Sequence, residues 1–159
     1  MRILGIDPGL ATVGLGVIDA TSAHDIRVVE WLTLTTAPTL PFAERLAEIY
    51  ADLTAFLAET KPELAVIEKL FFKTNQRTAI DVAQARGTIV LAVAQRKLPY
   101  LEPTPLQLKS CITGDGAATK GQVQRMLVRM LSLSSVPKPD DAADALALAV
   151  YGAVQRRLE

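Results

Sequence analysis

Asp7 interrupts the apolar run MRILGIDPGLATVGLGV at the start of a 159-residue chain. An ionised carboxylate is expensive to desolvate unless a cation or several donors meet it. Pro8 and Gly9 follow at once, so Asp7 stands where a strand ends and a tight turn begins. Asp before Pro-Gly is also ordinary turn-starting chemistry, and Asp7 alone does not separate the two roles. Glu68 closes a second apolar run, Leu64 to Ile67, and reads either as a strand-end ligand or as a solvated acid beside Lys69. Asp141 and Asp144 are three apart in PKPDDAADALALAVYG and share the first turns of a helix. Acids are favoured at a helix start by about 0.3–1 kcal/mol, which accounts for Asp141 but leaves Asp144 too deep in the helix to cap it. Asp144 also sits among Ala and Leu on a helix that is apolar nearly all round, so it needs a partner, and a metal is the simplest one. Together the four acids come from two strand ends and one helix start. Such a set can hold two Mg²⁺ ions about 3.5–4 Å apart, one lowering the pKa of an attacking water and one stabilising a leaving 3′ oxygen. Phosphodiester hydrolysis is the reaction class this suits.

The elements that must position these acids are legible from periodicity. Residues 2–7 and 13–19 predict a hairpin, and a third strand follows near 26–36. Phe42, Leu46, Ile49, Tyr50, Leu53, Phe56 and Leu57 recur at helical spacing, with Pro41 near the start and Pro62 beyond the end. A short buried strand at 64–67 leads to an Ala-rich helix from Thr78 to about Gln95. Gly87 in its middle lowers helix propensity by about 1 kcal/mol, which close packing against another helix would offset. A fifth strand near 99–102 precedes a short helix from Pro105 to about Cys111. A Gly-rich loop within 112–121, a helix over about 119–132 and a final helix from about 140 complete the chain. Written as β-β-β-α-β-α-β-α-α, the order predicts an α/β fold. Its mixed five-stranded sheet has three antiparallel strands first and parallel ones after, with helices on both faces. Ligand sites in such sheets lie off the carboxyl ends of strands, where Asp7 and Glu68 can converge.

At this length a single domain over 1–159 is expected. No apolar run reaches membrane-spanning length and no charged-then-apolar leader precedes the first strand, so a soluble cytoplasmic protein without membrane partners is expected. Cys111 and His24 are the only residues of their kinds, which excludes an intrachain disulfide and leaves oxygen ligands for any metal. Hard oxygen donors select Mg²⁺ or Mn²⁺. The net charge is zero, but it is unevenly spread. Residues 1–68 carry 4 basic and 10 acidic side chains, residues 69–129 carry 10 and 3, and residues 130–159 carry 3 and 4. The middle third, from Lys69, Lys73 and Arg77 through Lys109, Lys120, Arg125 and Arg129, is a candidate phosphate-binding surface. Solvated helix faces explain these residues one by one but not their clustering. Phe71 and Phe72 follow a strand end and cannot both bury easily beside Lys73, Thr74 and Asn75. An exposed aromatic there is a stacking platform worth about 1–3 kcal/mol per base, and Phe72 is expected to be the inward one.

The segments GIDPG (5–9) with Gly14 and Gly16, IEKLFF (67–72), QARG (84–87) and DAADALALA (141–149), in this order, resemble the RuvC family of Holliday-junction resolvases within the RNase H-like superfamily. The resemblance spans essentially the whole chain. It implies an RNase H-like fold and a homodimer that binds a four-way DNA junction and nicks two strands of like polarity symmetrically. The ends left would be 5′-phosphate and 3′-hydroxyl. It further implies a short thymine-containing target sequence, cooperation with the RuvA and RuvB branch-migration proteins, and a role in recombination and repair. Residue by residue, Asp7, Glu68, Asp141 and Asp144 match the catalytic, metal-holding acids. Phe71 matches an aromatic that stacks on an unpaired base, and Lys109 and Lys120 match basic residues at the scissile region. Phe72, Lys73 and Arg77 join them as candidate DNA contacts. The small residues Ala79, Ala83, Gly87 and Ala94 lie near one side of their helix and suit close contact in a dimer.

Two positions depart from the family pattern. Asp140 adds a carboxylate beside Asp141, which leaves open which of them faces the metals. Lys69 stands where an amide often follows the glutamate. Three other functions compete: a related nuclease that processes ribosomal RNA precursors, an actin-like ATPase, and a DNA-binding module whose acids are structural. The segment from Phe71 to Arg77, with QARG after it, favours the resolvase over the RNA enzyme. An actin-like ATPase needs two such domains, and this length supplies one.

Overall fold

The structure, a computed structural model, describes residues 1–70 and 76–156, with the side chains of Gln76 and Arg77 excepted. The expectations for Phe71, Phe72 and Lys73, and for the Arg77 side chain, lie outside the described residues. Ten elements follow one another: β1 (Arg2–Asp7), β2 (Thr12–Ser22), β3 (Asp25–Thr35), α1 (Phe42–Thr60), β4 (Leu64–Ile67), α2 (Gln76–Gln95), β5 (Tyr100–Leu101), α3 (Pro105–Thr113), α4 (Lys120–Met130) and α5 (Asp140–Gln155). Three helices close the order, the three expected near 105–111, 119–132 and 140 onward, although the shorthand order counts only two. The segment at Pro105 is an independent helix because both its ends are capped. Thr104 and Gln107 form a reciprocal capping box, and Gly114 at φ 80° takes the left-handed position that ends it. Thr119 and Gln122 cap α4 in the same way.

The sheet has the order β3-β2-β1-β4-β5. β1 runs antiparallel to β2 and parallel to β4, so it lies at the centre of the sheet and its carboxyl end points to the same edge as that of β4. β2 continues past residue 19 because Ala20 and Ser22 still find partners in β3, across a register shift. Each face of the sheet carries its own apolar core. Ile3, Ile18, Leu64 and Val66 pack against α5 with Leu108, Ile112 and Leu127 of α3 and α4. Leu4, Ile6, Leu15, Val17, Ala65 and Ile67 pack on the opposite face against α1 and α2. This alternation is the period-two reading of a strand covered on both sides.

One face has a notch where α5 crosses. Gly5 lies opposite Gly16 in the ladder, and Gly14 lies opposite Asp7. A β-carbon at Gly5 would fall 1.8 Å from the carbonyl oxygen of Ala145, and one at Gly14 would fall 2.0 Å from that of Asp141. At Gly16 it would fall 2.7 Å from the backbone nitrogen of Leu146. The backbone of α5 therefore rests directly on the backbone of the two central strands, a distance only glycine permits. This seating delivers the first two turns of α5 to the carboxyl end of β1.

Candidate active site

Asp7, Glu68 and Asp144 line one cleft of about 160 Å³, which also takes in Lys109, Lys120, Pro105, Leu108 and Val123. Three elements far apart in the chain supply the acids: the last residue of β1, the residue after β4, and the second turn of α5. Sheet topology explains the first two, since parallel neighbours end together. The glycine notch explains the third. A larger hollow of about 260 Å³ between α3 and α4 contains Asp115 but none of the four candidate acids.

The electrostatics of the cleft follow from this crowding. Burial, then the charges of Asp144, Glu68 and Asp141, push the Asp7 carboxyl from 3.8 up to about 8, with Lys120 opposing. Burial and Asp144 raise Glu68, opposed by Lys109. Burial also raises Asp144, opposed chiefly by its hydrogen bond from Lys120. The Lys120 ammonium donates to the Asp144 carboxylate over 2.9 Å and lies 3.7 Å from Asp140. That hydrogen bond holds Lys120 above its ordinary value.

Asp141 and Asp140 part company here. Asp141 does not line the cleft, but its charge acts on Asp7. Asp140 accepts a 2.8 Å hydrogen bond from Lys138, which holds its carboxyl below the usual range, and its charge reaches the cleft through Asp144 and Lys120. Among the described residues, no three His, Cys, Asp or Glu side chains are drawn together closely enough to cage an ion as they stand. Lys120 stands against Asp144 within that group.

Two features lie outside the sequence-based expectations. Lys138 pairs with Asp140, which also lies 3.7 Å from Lys120; its signal in sequence, a lysine two residues before the acid, is weak. Arg86 of α2 donates through Nε to the backbone carbonyl of Glu68 over 2.9 Å and pairs with Glu102. It lies inside the QARG segment, but no spacing rule predicts a guanidinium on a backbone carbonyl. A β-carbon at Gly87 would meet nothing within 4 Å, so among the described residues no helix packs closely against it.

A mixed five-stranded sheet with acids gathered at the carboxyl ends of its two central parallel strands, and a helix bringing more acid across its face, defines an RNase H-like fold. The pattern that describes the family "Crossover junction endodeoxyribonuclease RuvC" matches residues 3–152. A crossover junction endodeoxyribonuclease RuvC of Caldicellulosiruptor saccharolyticus is 43% identical over 150 residues, covering 94% of this chain and 90% of that one. A RuvC of Parasynechococcus marenigrum is 46% identical over 156 residues, covering 98% and 100%. The structure of Thermus thermophilus RuvC in complex with a Holliday junction substrate superimposes with a TM-score of 0.93 at 33% identity, covering 99% of this chain and 96% of that one. This chain belongs to the RuvC family of crossover junction endodeoxyribonucleases, the family its motifs resemble.

Proposed function

We propose that this chain resolves four-way DNA junctions by metal-dependent hydrolysis of phosphodiester bonds, as one nuclease domain over residues 1–159, with Asp7, Glu68, Asp141 and Asp144 as its catalytic acids. The observation that carries the site is the convergence of Asp7, Glu68 and Asp144 on one cleft, where burial and then the neighbouring acids push the Asp7 carboxyl up to about 8. A buried acid beside three others, with Lys109 and Lys120 only partly offsetting them, is a donor set that a hard divalent cation fits. Asp7, Glu68 and Asp144 would hold Mg²⁺ or Mn²⁺, with Asp141 at the rim; two ions are the expected number. When bound, such ions supply a water of lowered pKa and stabilise the leaving oxygen.

The chain's own groups do the rest. Lys109 and Lys120 reach the cleft from α3 and from the first residue of α4, so both can hold the scissile phosphate against the acids. The Lys120 ammonium sits where negative charge gathers, and charge developing on the phosphate in the transition state strengthens that contact. Leu108 and Val123 wall the cleft with apolar surface and limit water around it.

Phe71 is the stacking candidate, with Phe72, Lys73 and Arg77 as further DNA contacts. A homodimer fits the outer face of α2. Ile80 and Leu91 there are 63% and 52% exposed, and Gly87 lies between them with open space above it. A mid-helix glycine costs about 1 kcal/mol that no described neighbour offsets, and a second copy seated on this stripe would. RuvA and RuvB are the expected partners and the cytoplasm the expected location. Among the described residues no helix is long and apolar enough to cross a membrane.

Asp7→Asn tests the assignment. It is expected to bind a synthetic junction in Ca²⁺ as the parent does and to cleave nothing in Mg²⁺. Cleavage at the parent's rate would overturn the site.

A further inference from the structure

Arg86 occupies an unusual place relative to the cleft. Its side chain is 17% exposed and its guanidinium spans two segments: Nε donates to the carbonyl oxygen of Glu68 over 2.9 Å, and the other end pairs with Glu102, just past β5. The neighbouring backbone is tied the same way, with the Lys69 amide donating to the Pro103 carbonyl over 2.9 Å. β4 ends at Ile67, one residue before Glu68. Arg86 and the 102–103 segment both bind the chain at this point, Arg86 at the Glu68 carbonyl and Pro103 at the Lys69 amide.

The choice of atoms is informative. Had Arg86 paired with the Glu68 carboxylate, it would have taken the oxygens a cation needs. It takes the carbonyl instead, and Glu102 neutralises its charge. The charges that act on the Glu68 carboxyl are those of Asp144 and Lys109. We propose that Arg86 is a positioning residue that fixes the backbone of Glu68 so that both carboxylate oxygens stay free and aimed into the cleft for a divalent cation, with Glu102 holding the guanidinium in place. The proposal rests on the metal-site reading above and adds to it a residue that acts through the backbone of Glu68 rather than through its carboxylate. Because Arg86 precedes Gly87 on α2, the same contact joins the exposed α2 stripe to the acid cluster.

The test uses the full chain, with Mn²⁺ binding by calorimetry in the absence of DNA, the Mg²⁺ dependence of cleavage, and junction binding in Ca²⁺. Groups that orient metal ligands are worth about 10–100-fold in metal affinity or activity, so Arg86→Ala should weaken Mn²⁺ binding and raise the Mg²⁺ needed for half-maximal cleavage by about tenfold, while junction affinity stays within about twofold. Arg86→Lys should fall between, since it keeps one donor and the charge. A folded Arg86→Ala protein that binds Mn²⁺ like the parent overturns the proposal, as does one that loses junction binding as far as it loses cleavage. Should Arg86→Ala not fold, Arg86→Lys and Glu102→Gln decide. A shifted Mg²⁺ half-point in both supports the role, and parent-like values in both refute it. A parent that binds neither metal would sink the site reading itself, which is a separate result.

Discussion

Replacing Asp7 by asparagine should make the metal-free protein more stable, and more so as the pH rises. In the folded chain the Asp7 carboxyl titrates near 8 against 3.8 for a free side chain. Between these values the native state keeps a proton that the unfolded chain has released, so stability falls with rising pH by up to about 1.4 kcal/mol per unit. Integrated from pH 5 to pH 8, the loss assigned to Asp7 is about 3.6 kcal/mol, or about 7–14 °C in Tm for a domain of this size. Glu68 and Asp144 are raised as well and add slopes of the same sign, so the difference between parent and variant is the quantity to read. The assay is thermal or urea unfolding of both proteins in chelator at pH 5, 6, 7 and 8, repeated with Mg²⁺. The parent should weaken toward pH 8 and recover with Mg²⁺. The Asp7→Asn protein should show the shallower slope and recover little. Parallel curves for the two proteins from pH 5 to pH 8 in chelator would show that Asp7 carries no uncompensated charge.

Three further outcomes are expected. Gly5→Ala places a β-carbon 1.8 Å from the Ala145 carbonyl, which forces α5 off the sheet; urea unfolding should report a loss at or beyond the ~1–3 kcal/mol typical of overpacking, and metal binding should fall with it. Leu91→Asp puts a charge on the exposed α2 stripe and should shift sedimentation equilibrium toward monomer without lowering the Tm of the single chain by more than a few degrees. Lys120→Met should slow cleavage at saturating junction by about 10²–10³-fold, as removal of one donor to developing charge does elsewhere, with junction binding in Ca²⁺ retained within a few-fold.

Much of this architecture is legible in the sequence because it rests on periodicity and on the expense of buried charge. The strands at 2–7 and 64–67 announce themselves as apolar runs, each closed by one acid, and parallel pairing does the rest. Asp144 stands out because it lies among Ala and Leu where a solvated acid would not. What resists reading depends on contacts that leave no pattern. Asp140 and Asp141 are chemically identical neighbours, and what tells them apart is contact alone: the Asp141 backbone seated on Gly14, and Asp140 paired with Lys138. Arg86 is one of many arginines until its carbonyl partner is seen. Gly87 is explained by no described neighbour in its own chain, and the surface proposed to cover it belongs to a second copy. The capped helix at 105–113 is readable in detail, through Thr104, Pro105, Gln107 and Gly114, yet the order β-β-β-α-β-α-β-α-α omits it.

The glycine notch separates two properties that most enzymes tie together. Because the first turns of α5 are located by main chain lying on main chain, the reactive end of the helix is registered by steric contact rather than by the shapes of apolar side chains beneath it. Farther along α5, at Gly152, the helix backbone meets the side chains of Ile3, Leu64 and Val66 instead, so the end of the helix that carries the acids is set by main chain and the far end by side-chain shape.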